Sequence, residues 1–235
     1  MRFFRELLEG AEHIAFPATC VACGESLPAR TQFLCDVCAT GRFEDANPTN
    51  ADTCDTLILP QGVAFQDAIW HYDKAGALQK LMQMLKYEGM AGVGRELGEL
   101  AGQRIMQRHV PQRFAEAGAI VLLPVPLHPK REQKRGYNQA REIAEGIATV
   151  LKCPVAPAAA LIRSRNTATQ TRFSFSKRME NLKDVFQLAQ ADVFTDRAVL
   201  IIDDVFTTGS TCFSVHEALQ KAQPATVGIF TIAQA

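Results

Sequence analysis

The chain has 235 residues, 47% of them apolar and 21% charged, enough to bury at least one ordinary core. Its 25 basic and 25 acidic side chains cancel, so total charge demands no bulk partner such as a membrane surface or nonspecific DNA. No apolar run approaches the roughly 18 residues a membrane helix needs, so membrane insertion is not expected.

The first segment, "MRFFRELLEGAEHIAFPATC", breaks its apolar positions with Arg5, Glu6, Glu9 and Glu12, unlike a secretion signal. The spacing of Phe3, Phe4, Leu7, Leu8, Ala11 and Ile14 predicts one apolar face of a short packing helix, stopped before Pro17. A cytoplasmic location is the default expectation.

Seven cysteines, an odd number without a secretory signal, argue against a disulfide framework. Four of them form two hooks: "CVACG" spaces Cys20 and Cys23, and "LCDVC" spaces Cys35 and Cys38 in the same way. Two such hooks offer four thiolates to one tetrahedral ion, and Gly24 lets the chain turn tightly after the first. Structural zinc is the expectation, with buried or redox-active thiols as the alternative. Four sulfur ligands would close the site and make it structural rather than catalytic. Cys54, Cys153 and Cys212 are expected to be ordinary thiols, with Cys54 placed near the metal module as a second option.

The polar, turn-rich stretch "GRFEDANPTNADTCDTLILPQG" reads as a linker. It divides the chain into a cysteine module over residues 1–59 and a main body over residues 60–235. The main body alternates strand-like and helix-like pieces. "VAFQDAIWHY" is followed by the helical pattern "GALQKLMQMLKYEG", with Leu78, Leu81, Met82 and Leu85 on one face, and by "GRELGELAGQRIMQRH". Next come the strand "AIVLLPVPL", the helix "NQAREIAEGIATVL", a polar basic stretch to about Lys183, the strand "AVLIIDDV", the helix "TCFSVHEALQKA" and a last strand "TVGIFTIA". The alternation predicts an α/β fold with a mainly parallel sheet covered by helices on both faces.

The stretch "VLIIDDVFTTGST" sets Asp203 and Asp204 at the end of an apolar strand, where open parallel sheets bind ligands. Behind them Thr207, Thr208, Gly209, Ser210 and Thr211 lead straight into a helix, so hydroxyls, backbone N–H groups and the positive helix end converge on a place suited to phosphate. Carboxylates beside such a cradle would repel an anion unless they grip a neutral group or share a cation. Vicinal ribose hydroxyls meet the first condition as donors, so the expected ligand is a sugar 5-phosphate. A buried strand ending in a capped turn, with its acids in solvent, explains the strand but not the tandem acids.

The same stretch resembles the phosphoribosyl diphosphate (PRPP) motif of type I phosphoribosyltransferases, in which two acids contact the ribose hydroxyls and the Thr/Gly loop holds the 5-phosphate. Nearly end to end, the chain resembles the ComF family of phosphoribosyltransferase-like proteins associated with competence for DNA uptake. The resemblance rests on "CVACG", "LCDVC", "LKYEG", "LLPVPLHPKREQKRGYNQA", "RSRNTATQ", "KRMENLKDVF" and the PRPP motif. It implies a type I phosphoribosyltransferase-like fold with a small N-terminal zinc-binding module. Family members often carry further cysteine pairs after the first two, where this chain has only Cys54.

Chemistry alone also gives these segments a reading. Pro124, Pro126 and Pro129 stiffen a turn that would present amide donors, Lys130 and Arg131 to an anion. By resemblance Pro126, Leu127, His128, Lys130 and Arg131 form the diphosphate loop; a solvated, proline-stiffened turn is the alternative. Arg135 precedes a helix start at which Asn138 is expected to cap. From His128 to Lys183 there are 12 Lys/Arg against 4 Asp/Glu, a surplus of eight positive charges. The segment "IRSRNTATQTRFSFSKRMENLKD", with Arg163, Arg165, Arg172, Lys177, Arg178 and Lys183, has no clean periodicity. It reads as a lid closing over diphosphate, as a solvated basic loop, or as a track for a nucleic-acid backbone, with Phe173 and Phe175 as the stacking platforms in that last case. His71, His109, His128 and His216 are scattered, and none is assigned to chemistry.

Turnover would displace diphosphate at the anomeric carbon by a nitrogen nucleophile, with magnesium bridging diphosphate and ribose oxygens and Asp203 and Asp204 orienting the ribose. Two functional readings stay open. One is a PRPP-binding protein of the competence type, with single-stranded DNA and competence-machinery proteins as candidate partners. The other is an active magnesium-dependent transferase with an unidentified acceptor.

Overall fold

The computed structural model describes residues 18–28, 33–46, 59–73, 76–108, 114, 116–164 and 185–235. The helix expected over residues 3–14, together with Cys54, His109, Arg165, Arg172, Phe173, Phe175, Lys177, Arg178 and Lys183, lies outside the described residues.

In chain order the elements are α1 (Asp36–Gly41), β1 (Val63–His71), α2 (Ala77–Tyr87), α3 (Ala91–Gln107), β2 (Ile120–Pro124), α4 (Pro129–Arg135), α5 (Gln139–Leu151), β3 (Leu161–Arg163), β4 (Phe186–Leu188), β5 (Ala198–Phe206), α6 (Ser210–Leu219) and β6 (Thr226–Gln234). Four strands form one parallel sheet in the order β1, β6, β5, β2. Parallel neighbours need long crossovers, and the helices supply them. Among the described residues no helix is long and apolar enough to cross a membrane.

Strand β5 runs through the middle of this sheet, and its residues alternate between two apolar layers. Leu200 and Ile202 join Leu122, Phe230 and Ile232 in the layer under α2, α3 and α5, which contributes Leu81, Leu97 and Ile143. Val199 and Ile201 join Val121, Leu123, Val227 and Ile229 in the layer under α6, which contributes Phe213, Val215 and Leu219. Full burial of such side chains stabilises by about 1.5–3 kcal/mol each, which fixes the register of β5 and with it the position of the two acids. Helices α3 and α5 approach closely through glycines: a Cβ on Gly98 would collide with the Ile143 carbonyl, and one on Gly146 with that of Arg95.

The cysteine segment docks on this body. Glu96 of α3 accepts from the backbone N–H groups of Phe33, at 2.7 Å, and Leu34, at 2.9 Å. Asp45 pairs with Arg104 and Arg108, and Arg108 also pairs with Asp67 of β1. Cys20, Leu27, Leu34 and Cys38 belong to the same apolar cluster as Leu97.

Three local features differ from expectation. Lys130 and Arg131 lie in the short helix α4 rather than in an irregular turn. Pro129 occupies its first turn, His128 caps it and Gly136, at φ 89°, ends it. Because α4 buries no residue, it leaves no periodic trace in the sequence. Arg163 stands in strand β3 rather than in irregular chain, paired antiparallel with Phe186 of β4. These strands have three residues each and are held by a partner distant in sequence, so alternation could not reveal them. Helix α3 begins at Ala91, three residues before the expected stretch.

Candidate functional site

Strand β2 ends at Pro124, paired with Ile202 of β5, while β5 continues to Phe206 beside β6. Asp203 and Asp204 therefore lie inside β5 but beyond the end of β2, in the crevice where a parallel sheet receives ligands. Asp203 is half-buried and accepts from the Asp204 backbone N–H at 2.9 Å. Asp204 is buried, and the Nζ of Lys86 lies 2.7 Å from its Oδ2. Burial first, and then the neighbouring Asp204 charge, push the Asp203 carboxyl up to about 7, against the pull of the Asp204 N–H, Lys86 and Arg163. Burial alone would lower the Lys86 ammonium, but Asp204, with help from Asp203, raises it above the ordinary value.

After Phe206 the chain turns through Gly209, whose φ of 72° is left-handed, and enters α6 at Ser210. A Cβ at Gly209 would also lie 2.6 Å from the rings of Phe206 and Phe213, so glycine is required twice over. Among the described residues no side chain caps α6. Its first-turn N–H groups are thus available to an anion at the positive end of the helix. Thr208 Oγ1 and Ser210 Oγ lie 3.1 Å apart at this turn, with Thr207 exposed and Thr211 half-buried. The five expected phosphate-loop residues form one continuous turn and helix start next to the acids.

The connection from β2 approaches from the other side of β5. Val125 N–H donates to the Ile202 carbonyl at 2.9 Å, which carries the pairing with β5 one residue past Pro124 and into Pro126 and Leu127. His128 Nδ1 accepts from the Lys130 N–H at 3.2 Å, a capping task. Lys130 is exposed and Arg131 half-buried. Arg135 donates to Gln139, and Asn138 caps α5 by accepting from the Ala140 N–H at 3.0 Å, as expected. Arg163 is 9% exposed, with its guanidinium 5.5 Å from the Phe186 ring centroid. Burial and then Arg131 lower its proton affinity, whereas Asp203 raises it, so β3 brings Arg163 within electrostatic reach of both.

Lys86 had no role assigned from the sequence. It belongs to "LKYEG", where the apolar stripe Leu78, Leu81, Met82 and Leu85 shows that α2 is buried but not that its last turn meets β5. A lysine directly after a buried helical stripe was the available signal.

The second constellation is Cys20, Cys23, Cys35 and Cys38, whose Sγ atoms all lie within 4.8 Å of one another. A tetrahedral zinc ion with Zn–S bonds of about 2.3 Å needs sulfurs about 3.8 Å apart, and Cys23 and Cys35 are 3.7 Å apart. The first hook closes through the Gly24 N–H donating to the Cys20 carbonyl at 2.8 Å, with Gly24 at φ 79°. Although burial opposes ionisation of Cys20, backbone N–H groups of Cys35, Cys23 and Ala22 prevail and bring it down to about 6. Burial pushes Cys38 up to about 12. The four residues could hold zinc, and a bound cation would reverse the penalty on Cys38.

Among known proteins, a family model described as a phosphoribosyl transferase domain matches residues 138–235, from the cap of α5 through the acid strand to the last residue. The chain is 32% identical over 170 residues to Competence protein F of Haemophilus influenzae, covering 71% of each chain. It is 26% identical to DNA utilization protein YhgH of Escherichia coli K12, over 93% of this chain and 98% of that protein. To Competence protein ComFC of Bacillus subtilis it is 23% identical, over 91% of this chain and 82% of that protein. With the acid strand, the glycine turn and the paired cysteine hooks in place, the chain belongs to the ComF family of phosphoribosyltransferase-like proteins.

Proposed function

We propose that the chain is a cytoplasmic PRPP-binding protein that serves competence by handling incoming single-stranded DNA. One observation carries the ligand: two acids beyond the end of β2 adjoin an uncapped helix start reached through a left-handed glycine. In this reading Asp203 and Asp204 accept from the ribose hydroxyls, and residues Thr207 to Thr211 hold the 5-phosphate. Pro126, Leu127, His128, Lys130 and Arg131 face the diphosphate, with Arg135, Arg163, Arg165 and Arg178 as its further cations. The diphosphate would carry a magnesium ion, since hard cations favour phosphate oxygens. Residues 1–59 form a zinc-holding appendage and residues 60–235 the phosphoribosyltransferase-like domain. The names of the relatives, two competence proteins and a DNA utilization protein, support the DNA role, as does the basic surplus between His128 and Lys183.

A second reading is turnover; a pocket of about 130 Å³ lies beside the proposed diphosphate loop, lined in part by Pro126, Leu127, Asn138 and Arg163 but by neither acid. In that reading a nitrogen would bond to the anomeric carbon as diphosphate leaves.

Titration calorimetry with PRPP and magnesium should show saturable binding that Asp203→Asn with Asp204→Asn abolishes. Diphosphate release with added nitrogen bases separates transferase from binder. Single-stranded DNA affinity measured against salt reports the handling role, which survives the acid substitutions if DNA lies on the basic segment. A folded chain without PRPP affinity would end both ligand readings.

A further inference from the structure

The site poses an electrostatic problem: two adjacent carboxylates stand beside a cradle for an anion. The structure supplies a cation of its own. Lys86 lies one residue past Leu85 in the last turn of α2, and that turn is pinned by Tyr137, whose hydroxyl donates to the Leu85 carbonyl at 2.5 Å. Tyr137 precedes the Asn138 cap of α5, so one hydroxyl ties the end of α2 to the segment that follows the proposed diphosphate loop. From this anchored position the ammonium reaches Asp204 at 2.7 Å, with 26% of the lysine side chain and 8% of the aspartate side chain exposed.

We propose that Lys86 is a positioning residue of the acid site: its ammonium offsets Asp204, so that a phosphorylated pentose meets one net carboxylate, Asp203, rather than two. The inference rests on the pentose-phosphate reading above and adds a division of labour to it. Asp204 is the buried acid whose charge the lysine offsets as it accepts from the sugar, and Asp203 is the half-exposed acid that keeps its charge toward it. Other groups facing the pair are Arg163 of β3, with Arg131 of α4 near it, Tyr72 after β1 and the buried Cys212 thiol of α6. Lys86 makes an ion pair with Asp204 at 2.7 Å. It also holds down the proton affinity of Asp203, so its loss should leave Asp203 protonated to higher pH.

The test compares the full chain with Lys86→Met and Lys86→Arg in two measurements. Calorimetry with magnesium PRPP between pH 6 and 9 should show Lys86→Met weakened about tenfold or more at pH 7.5, with the acid-side midpoint of affinity moved up by about one pH unit. Lys86→Arg, which keeps the charge, should restore most of both. Carbon NMR titration of the Asp203 carboxyl should show the same upward shift without any ligand. An unchanged midpoint in folded Lys86→Met overturns the proposal even if affinity falls, because a merely structural lysine would weaken binding without moving a titration. Equal failure of the arginine and methionine variants also overturns it. If the unmodified chain binds no PRPP, the parent reading fails, and the NMR shift still decides whether Lys86 governs the acid pair. Should Lys86→Met not fold, the same two measurements on Lys86→Gln take its place.

Discussion

The cysteine cluster and the acid site are two ways of gathering like-charged ligands at one point, and they are built differently. The cluster draws four thiols from 19 consecutive residues, Cys20 to Cys38, and each hook is shaped by its own backbone hydrogen bonds. Around the acids, groups converge from five elements: Lys86 from α2, Arg131 from α4, Arg163 from β3, the acids from β5 and the open N–H groups from α6. Local spacing can close a metal site with no help from the fold. A phosphate crevice opens only once the sheet has placed one strand end past another.

Metal removal should give the largest effect and show how far the two regions are separable. Structural zinc in small fingers contributes about 10–16 kcal/mol of apparent binding energy. Chelation of zinc-loaded protein, or Cys35→Ser, should melt the cysteine segment at a lower temperature than the sheet. PRPP affinity should change less than about threefold, within ordinary context effects on a distant site. The shared core around Leu97 and the two bonds to Glu96 work against this separation. A single transition that moves as a unit under chelation would mean that the docking dominates.

Next in size, Asp203→Asn with Asp204→Asn should weaken PRPP at least about a hundredfold, as loss of two charged acceptors predicts at roughly 1.5–3 kcal/mol each. Calorimetry would detect it, and zinc content should stay unchanged, whereas a fall in bound zinc would show that the regions are coupled.

A smaller and opposite effect concerns stability. Asp203 has a folded value near 7, raised above its unfolded one, so between about pH 4 and pH 7 the native state binds the extra proton. Stability contributed by this group is present below that window and lost as pH rises through it. Asp203→Asn should therefore raise the melting temperature at pH 8, by about 1–2 kcal/mol of stability, and flatten the pH profile between about pH 4 and pH 7. Such a gain, alongside lost ligand affinity, is what a functional acid held at a cost to the fold should show. No change at pH 8 would mean that the ionised acid carries no penalty.

The smallest expected effect is Asn138→Ala, which removes the α5 cap and should cost about 1 kcal/mol in denaturant melts. It should leave the zinc content untouched.

What could be read beforehand follows the same division. The hooks, the apolar stripe of α2, the unbroken apolar run of β5 and the Asn138 cap are local patterns, and the sequence displays each of them. Strands β3 and β4 exist only because chain segments more than twenty residues apart meet, which no periodicity encodes. Helix α4 buries nothing, so its signs were Pro129 in the first turn and capping by His128 and Gly136. Lys86 was legible as a residue but not as a partner, because its meeting with Asp204 spans three strands and three helices of intervening chain and depends on where α2 ends relative to β5.

The most direct test of the central claim is a calorimetric titration of the intact, zinc-loaded chain with PRPP and magnesium at pH 7.5, repeated with ribose 5-phosphate and with diphosphate alone. The expected result is saturable heat with PRPP, weaker binding of each half, and loss of all sugar-phosphate binding in Asp203→Asn with Asp204→Asn. Absence of heat from PRPP and from ribose 5-phosphate at saturating concentrations, in a chain whose sheet melts cooperatively, would contradict it.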